Sequence, residues 1–181
     1  MRSMSRFWPL VTLIAILWLV EVVNFLTGHS LNRFGLVPRT TTGLPGIALA
    51  PLLHGSFTHL LSNTMGLAVL GGLVALRGRR HFIVSMVALV LAGGLLLWLI
   101  GRPSVHVGAS GLVFGFFGLL LAQAWYRRTW DSILIATAVV LLYGGLIAGL
   151  SPLQRYVSWE GHLAGLVAGV LIGRLTQPRQ A

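Results

Sequence analysis

The sequence has no cysteine and no lysine, and only three of its 181 residues are acidic. The lack of cysteine excludes disulfides and metal sites that need thiolate ligands. Charged residues make up 9% of the chain, whereas hydrophobic residues make up 56%. This hydrophobic fraction is higher than a soluble domain of this size needs for its core, so the composition indicates a membrane protein that contacts a lipid bilayer.

The basic charge comes from arginine alone, and the net charge of +10 would also fit a nucleic-acid-binding protein. The arginines, however, lie between apolar segments and form no basic face or tail. In membrane proteins, basic residues of this kind mark cytoplasmic connections. We therefore expect no nucleic-acid partner.

The apolar residues fall into segments of about 17 to 20 residues, the length of a helix that crosses a hydrocarbon core of about 30 Å. We predict helices at residues 8–27, 57–76, 82–101, 110–126, 132–150 and 160–176, in a single transmembrane domain over residues 1–181. The connection 28–56 is rich in glycine and proline and should be irregular or only partly helical. The predicted fold class is an all-α membrane protein, a bundle of six transmembrane helices.

The arginines also predict the orientation of the bundle. A cytoplasmic N-terminus would put nine arginines on the inner side, namely Arg2, Arg6, Arg77, Arg79, Arg80, Arg127, Arg128, Arg174 and Arg179. The outer side would hold four, namely Arg33, Arg39, Arg102 and Arg155. This excess favours two cytoplasmic termini, and the compact chain fits a bacterial inner membrane.

Two of the predicted helices have glycines at four-residue spacing, which places these glycines along one stripe of each helix. They are Gly161, Gly165, Gly169 and Gly173 in the sixth helix and Gly111 and Gly115 in the fourth. Such stripes let helix backbones approach closely in lipid. General bundle packing explains any single glycine, but the two stripes together favour close contact of these helices, with Ser110 beside His162.

Ser110 and His162 begin the fourth and sixth predicted helices and combine a nucleophile with a base. A serine hydroxyl needs a base to take its proton, and imidazole titrates near neutral pH. A carboxylate usually orients the histidine, but Glu160 is two residues from His162 and faces another side of the helix. We therefore predict a serine–histidine dyad, with Phe114 as an aromatic wall for the ring. Glu21 should pair with a loop arginine and take no part in the chemistry.

A second polar cluster lies in the segment HGSFTHLLSN, residues 54–63. His59 and Asn63 are four residues apart and so share a helix face. Polar side chains in a membrane span are costly and usually functional. Donors aimed at one point suit an oxyanion hole, to which the backbone N–H of Ser110 would contribute.

Helical rise predicts that these side chains lie at comparable depth. At a rise of about 1.5 Å per residue, Ser110 lies about 26 Å and His59 about 27 Å along the helix axis from the cytoplasmic arginine of its helix. Asn63 and His162 lie about 21 and 18 Å up on the same count. In a core of about 30 Å, all four belong to the outer half, so the site should face the outer side.

Other interpretations of the same residues stay open. A GxSG motif is common in helix packing, and a histidine at a helix end is often interfacial, as we expect for His106. Three histidines in the outer half could bind a metal ion, but HExxH is absent and no carboxylate supports a site, so we expect no metal and no cofactor. A small transporter or channel could also use these polar residues as a substrate site.

Taken together, the motifs resemble the rhomboid family of intramembrane serine proteases in its minimal six-helix form. HxxxxHxxxN occurs as His54, His59 and Asn63, GxSG spans residues 108–111, and GHxxGxxxG spans residues 161–169. The segments GLVPR at 35–39 and GLPGIALAPLLHGSFTHLLSN at 43–63 are also similar to bacterial rhomboids. The resemblance covers nearly the whole chain.

The resemblance implies roles for individual residues. Ser110 would be the nucleophile and His162 the general base. His59 and Asn63 would be the side-chain members of the oxyanion hole, and His54 would support the site from the second helix.

Glycines would support the same site. Gly108 and Gly111 belong to the serine motif, and Gly165 would let the fourth and sixth helices approach closely. The fifth helix and the loop 151–159 would form a lateral gate and a cap through which a substrate helix reaches the serine.

The function implied is that of a serine endopeptidase that cleaves transmembrane segments of membrane proteins near their outer end. The alternative is a non-catalytic rhomboid-like protein that binds membrane helices. A Trp-Arg pair found in the first loop of some members is missing here, but this departure leaves the implied catalytic residues intact.

Overall fold

The computed structural model describes residues 4–153 and 157–176, which contain helices and no β-strand. The long helices are α1 (Trp8–Leu26), α2 (Phe57–Ala75), α3 (Arg79–Ile100), α4 (Ser110–Arg127), α5 (Trp130–Tyr143) and α6 (Trp159–Leu175). Each predicted helix coincides with one of them, with starts that differ by at most three residues. The predicted fifth helix is α-helical only to Tyr143 and continues as a 3-10 helix from Gly144 to Leu150.

Four of the helical segments in the described part of the chain are long and apolar enough to cross a membrane. They are Ser5–Leu26, Phe57–Ala75, Arg79–Ile100 and Trp130–Leu150. The helices α4 and α6 have 18 and 17 residues and are richer in glycine. The all-α membrane character is therefore confirmed, whereas the six spans, the single domain over 1–181 and the cytoplasmic termini stay predictions.

Helix α4 lies at the centre of the molecule and packs most closely against α6. Every residue from Leu112 to Leu120 is buried. A Cβ atom at Gly165 would overlap the carbonyl oxygen of Gly111, and one at Gly169 would overlap that of Gly115. The predicted close contact of the two glycine stripes is confirmed, because the helices meet at a distance that no side chain there would permit.

Helix α2 contains one π-helical stretch, Leu67–Gly71. Each π turn holds an extra residue, so the helix face turns relative to a regular α-helix, a feature often found at functional sites. The first part of α2 has His59 and Asn63, and the last part packs Val74 and Ala75 into the core. Because of the π stretch, the first part of α2 can direct His59 and Asn63 towards the polar cluster while the last part directs Val74 and Ala75 into the core.

The connection between α1 and α2 is irregular, as predicted. It contains 3-10 turns at Ser30–Phe34, Thr41–Gly43 and Ala50–Leu52 and one short α-helix at Gly46–Leu49. Leu36 forms an isolated antiparallel bridge with His106, with N–O distances of 3.0 and 2.8 Å. This bridge ties the connection to the segment that leads into α4.

Glu21 does not pair with an arginine, so that prediction was wrong. Its carboxylate is fully buried, lies 3.2 Å from His29 Nε2 and accepts a hydrogen bond of 3.3 Å from Asn24. Asn24 and Asn32 also donate to the carbonyl oxygen of His54, at 3.1 and 3.0 Å. The buried acid therefore belongs to a polar cluster that fastens α1 to the segment before α2.

Candidate active site

Ser110 is the first residue of α4, and the two residues before it fix its place. Gly108 has a φ of +116°, a value that residues with a side chain rarely adopt. A Cβ atom on Gly108 would lie 2.6 Å from the ring of His59 and 3.5 Å from Asn63 Nδ2. Glycine is required here because the loop passes directly over the polar face of α2.

His162 lies in the first turn of α6 and contacts Ser110. The distance from His162 Nε2 to Ser110 Oγ is 2.9 Å, and His162 Nδ1 lies 2.8 Å from the carbonyl oxygen of Gly149. A carbonyl oxygen can only accept, so Nδ1 carries the proton and donates it to Gly149. Nε2 is then the acceptor for the Ser110 hydroxyl, which is the arrangement a general base needs.

Gly149 is a site residue that sequence reasoning missed. Its carbonyl oxygen occupies the position relative to His162 that a carboxylate occupies in a catalytic triad. Every residue has a carbonyl oxygen, so the sequence gives no direct signal for this one. An indirect signal is the glycine itself, since a Cβ atom there would lie 3.0 Å from His162 Nδ1 and 3.1 Å from Phe114.

Phe114 forms the predicted aromatic wall. Its ring stacks on the imidazole of His162 with a centroid distance of 4.2 Å and an interplanar angle of 8°. Glu160, in contrast, places its carboxylate 3.6 Å from Arg102 Nε. The ring of His162 is therefore held by stacking and by a backbone carbonyl, without a carboxylate.

A cavity of about 860 Å³ opens beside the serine. Its lining includes Ser110, His162, His59 and Asn63, together with Gly149 from the end of the α5 segment. The side-chain nitrogen Nδ2 of Asn63 is buried and has no hydrogen-bond partner among the described residues. A buried donor without an acceptor costs about 1–3 kcal/mol, so it provides a ready contact for an oxygen atom of a bound molecule.

His54 precedes α2 and is not part of that helix, so the prediction that it supports the site from the second helix needs correction. It is fully buried, and its ring meets that of His59 edge-on at 5.0 Å. Its Nε2 lies 3.4 Å from the backbone nitrogen of Ala109. Burial and the neighbouring His59 lower the pKa of His54 to about 4, so the ring is neutral at pH 7 and supports the loop before Ser110.

His106 was expected at the membrane interface, a position that stays a prediction, but its burial inside the protein was not predicted. It is 3% exposed and lies 2.7 Å from the hydroxyl of Ser158, on the segment before α6. Burial was missed because the sequence does not reveal that the α3–α4 connection folds back onto α6.

The remaining predicted features are covered only partly by the described residues. Within them, no three His, Cys, Asp or Glu side chains are grouped closely enough to hold a metal ion. The predicted cap, loop 151–159, includes residues 154–156, which lie outside the described residues. The predicted gate, α5, buries only Ser132 and Val139 along Trp130–Tyr143, so it lies at the periphery with most of its surface facing outward.

Comparisons with known proteins identify the family. A family model, the Rhomboid domain, matches residues 42–179. An uncharacterized protein of Mycobacterium tuberculosis is 42% identical over 176 residues, covering 92% of this chain and 73% of that protein. The Bacillus subtilis protein YdcA, provisionally named a rhomboid protease, is 32% identical and covers 96% of this chain and 92% of its own length. RHOMBOID-like protein 4 of Arabidopsis thaliana is 32% identical over 67% of this chain and 31% of its own length. The chain is therefore an integral membrane protein that belongs to the rhomboid family.

Proposed function

We propose that this protein is an intramembrane serine endopeptidase that cleaves transmembrane segments of membrane proteins near their outer end. The observation that carries the proposal is the hydrogen-bonded pair of Ser110 Oγ and His162 Nε2 at 2.9 Å. The orientation of His162 by Gly149, at 2.8 Å, supports it further, since Nε2 is left free to accept the serine proton. The buried Asn63 amide beside the same cavity, which has no hydrogen-bond partner in the described part of the chain, supports a site for an oxyanion.

Acylation follows from these positions. The Ser110 hydroxyl gives its proton to His162 Nε2 while Oγ forms a bond to the carbonyl carbon of the substrate peptide. The carbonyl oxygen becomes an oxyanion, which accepts hydrogen bonds from Asn63, from His59 and from the Ser110 N–H. His162 then gives its proton to the amide nitrogen, the C–N bond breaks, and an amine leaves with the acyl group bound to Ser110.

Deacylation repeats the cycle with water. His162 takes a proton from a water molecule, whose oxygen attacks the ester carbon and forms a second oxyanion in the same site. The bond to Ser110 Oγ breaks, His162 returns the proton to Oγ, and a carboxylic acid is released. The cavity beside Ser110, of about 860 Å³, is large enough to hold the attacking water molecule.

The substrate class follows from the membrane setting. A peptide bond inside a helix is shielded by the helix's own hydrogen bonds, so the substrate must unwind locally. Segments with glycine or other helix-weakening residues near the outer interface should therefore be preferred. They would reach the site past α5 and the loop 151–159, with the site on the outer side of a bacterial inner membrane.

The test is cleavage of such a substrate by purified protein reconstituted in liposomes. We expect Ser110→Ala and His162→Ala to abolish cleavage without lowering the melting temperature by more than a few degrees. Ser30→Ala, which changes an exposed serine outside the cavity, is the matched control and should cleave like the wild type. Cleavage retained by Ser110→Ala would refute the proposal.

Labelling by a serine-reactive fluorophosphonate separates the protease from its alternatives. We expect the wild type to be labelled at Ser110 and His162→Ala to lose most of the labelling, because the hydroxyl then has no base. A non-catalytic protein that only binds membrane helices would bind the substrate peptide without being labelled. A transporter would move solute across liposomes at a rate that labelling of Ser110 leaves unchanged.

A further inference from the structure

A buried polar cluster outside the dyad joins the α3–α4 connection to the start of α6. His106 is 3% exposed, and its Nδ1 lies 2.7 Å from Ser158 Oγ. Its Nε2 lies 3.1 Å from the carbonyl oxygen of Arg102 and 3.3 Å from the hydroxyl of Ser104. Ser158 in turn accepts a hydrogen bond of 3.3 Å from the backbone N–H of Gly161, as the N-cap of α6.

The direction of these hydrogen bonds follows from the groups involved. The Arg102 carbonyl can only accept, so the His106 proton resides on Nε2 and Nδ1 is an acceptor. Ser158 then donates its hydroxyl proton to Nδ1 while its oxygen accepts from Gly161. The result is one unbroken chain of hydrogen bonds from the α6 backbone through Ser158 and His106 to the α3–α4 connection.

The charged groups around His106 reinforce the same junction. Arg102 donates to the carbonyl oxygen of Val157 at 2.7 Å and pairs with Glu160 at 3.6 Å. Burial lowers the pKa of His106, while Glu160 and the Arg102 carbonyl raise it and the Arg102 charge lowers it. The neutral ring that the hydrogen-bond directions require is therefore the form expected at pH 7.

His106 and Ser158 lie at the same sequence distance from the two residues of the dyad. His106 is four residues before Ser110, and Ser158 is four residues before His162. One contact therefore joins the segments that lead into both reacting side chains, four residues before each of them. The Ser110–His162 distance depends on how these two segments are held relative to each other.

We propose that His106 and Ser158 are positioning residues that hold the segments before Ser110 and His162 together and so fix the geometry of the dyad. This inference rests on the proposed function. Both residues also line the cavity beside Ser110. Neither bonds to the substrate or exchanges a proton with it in this scheme, so their loss should lower kcat more than it changes KM. A small misplacement of reacting groups costs about 10- to 100-fold in rate.

The test measures kcat and KM of cleavage for His106→Ala, Ser158→Ala and the double variant. We expect each single variant to lower kcat about 10- to 100-fold, and the double variant to be no worse than the poorer single one, because both remove the same contact. His106→Asn keeps an acceptor near the position of Nδ1 and should recover part of kcat. Thr40→Ala removes a comparable cap hydrogen bond at Gly43, outside the cavity lining, and should leave kcat unchanged while lowering the melting temperature to a similar extent.

Ser158→Asp separates the positioning contact from helix capping. An aspartate still caps α6 at Gly161, but it cannot donate to a neutral His106 and contacts the ring only when Nδ1 is protonated. The ratio of kcat in this variant to kcat in the wild type should therefore rise as the pH falls from about 8.5 to about 6.5. A ratio that does not change with pH would mean that Ser158 only caps the helix and would overturn the inference.

The remaining outcomes distinguish this inference from the proposed function. A wild type that neither cleaves substrate nor reacts with fluorophosphonate would overturn both. An active wild type whose His106→Ala and Ser158→Ala variants keep full kcat would overturn the positioning role alone. Variants that lose kcat only in proportion to their loss of folded protein, without recovery in His106→Asn, would also overturn it.

Discussion

At the scale of single residues, Asn63 is notable because its buried amide nitrogen has no hydrogen-bond partner among the described residues. If the amide serves an oxyanion, its replacement should affect activity and stability in opposite directions. We expect Asn63→Leu to lower kcat about 100- to 1,000-fold, the usual cost of losing one oxyanion donor. The melting temperature should stay the same or rise, because an apolar group of similar size removes an unsatisfied donor.

Asn24→Leu is the matched control for this variant. The Asn24 amide donates to Glu21, Asn32 and the carbonyl oxygen of His54, so its loss leaves buried acceptors without a donor. We expect a clear fall in melting temperature in this case. Equal destabilisation by Asn63→Leu and Asn24→Leu would show that Asn63 has a structural role only.

His54 gives the fold a dependence on pH. Its pKa is lowered to about 4 by burial, whereas in the unfolded chain it is near 6.5. The unfolded state therefore binds more protons between these values, and stability falls as the pH drops from about 6.5 towards 4. We expect the melting temperature in detergent to decrease over this range, and His54→Asn to show a flatter dependence. Identical pH profiles for both proteins would contradict this.

At the scale of elements, the contact of α4 with α6 depends on glycine. A Cβ atom at Gly165 would overlap the Gly111 carbonyl oxygen, so Gly165→Ala must push the helices apart. We expect a loss of about 1–3 kcal/mol in the free energy of unfolding, as is typical of overpacking, and slower cleavage because Ser110 and His162 lie on these helices. Denaturation in mixed micelles and kcat would measure the two effects.

Gly72→Ala provides the comparison for that variant. Gly72 lies in α2, and a Cβ atom there would be 4.0 Å from its nearest neighbour, Leu10. The added methyl group should leave cleavage unchanged and stabilise the protein by about 0.4–1 kcal/mol, because it restricts the unfolded chain. If Gly72→Ala and Gly165→Ala lowered the free energy of unfolding and kcat equally, the effect would come from glycine replacement in general and not from the helix contact.

At the scale of the whole molecule, the arrangement in the membrane can be tested because the chain has no cysteine. Single cysteines at Thr42, in the α1–α2 connection, and at Arg80, near the start of α3, lie at opposite ends of the bundle and at exposed positions. With cytoplasmic termini, a maleimide that cannot cross membranes should label Thr42→Cys in intact cells. Arg80→Cys should react only after permeabilisation, and the reverse pattern would contradict the predicted orientation.

The sequence predicted those parts of the structure that depend on repeated, local patterns. Apolar segments set the positions of the helices, and glycine spacing predicted the contact of α4 with α6 and thus Ser110 beside His162. The pairing of Glu21 with His29 and the burial of His106 depend on how irregular connections fold back, which no periodicity encodes. The role of the Gly149 carbonyl could not be predicted for another reason, because every residue has a backbone oxygen and none is marked in the sequence.

The hydrogen bond from His162 to Gly149 links access to reactivity. Gly149 ends the α5 segment, the helix with the least buried surface and the one past which a substrate would arrive. Any displacement of that segment that takes Gly149 with it also removes the hydrogen-bond acceptor that orients His162 Nδ1. Under the proposed function, the dyad would then be misaligned while that side is open, and it would become competent only once the segment has closed again behind the bound chain.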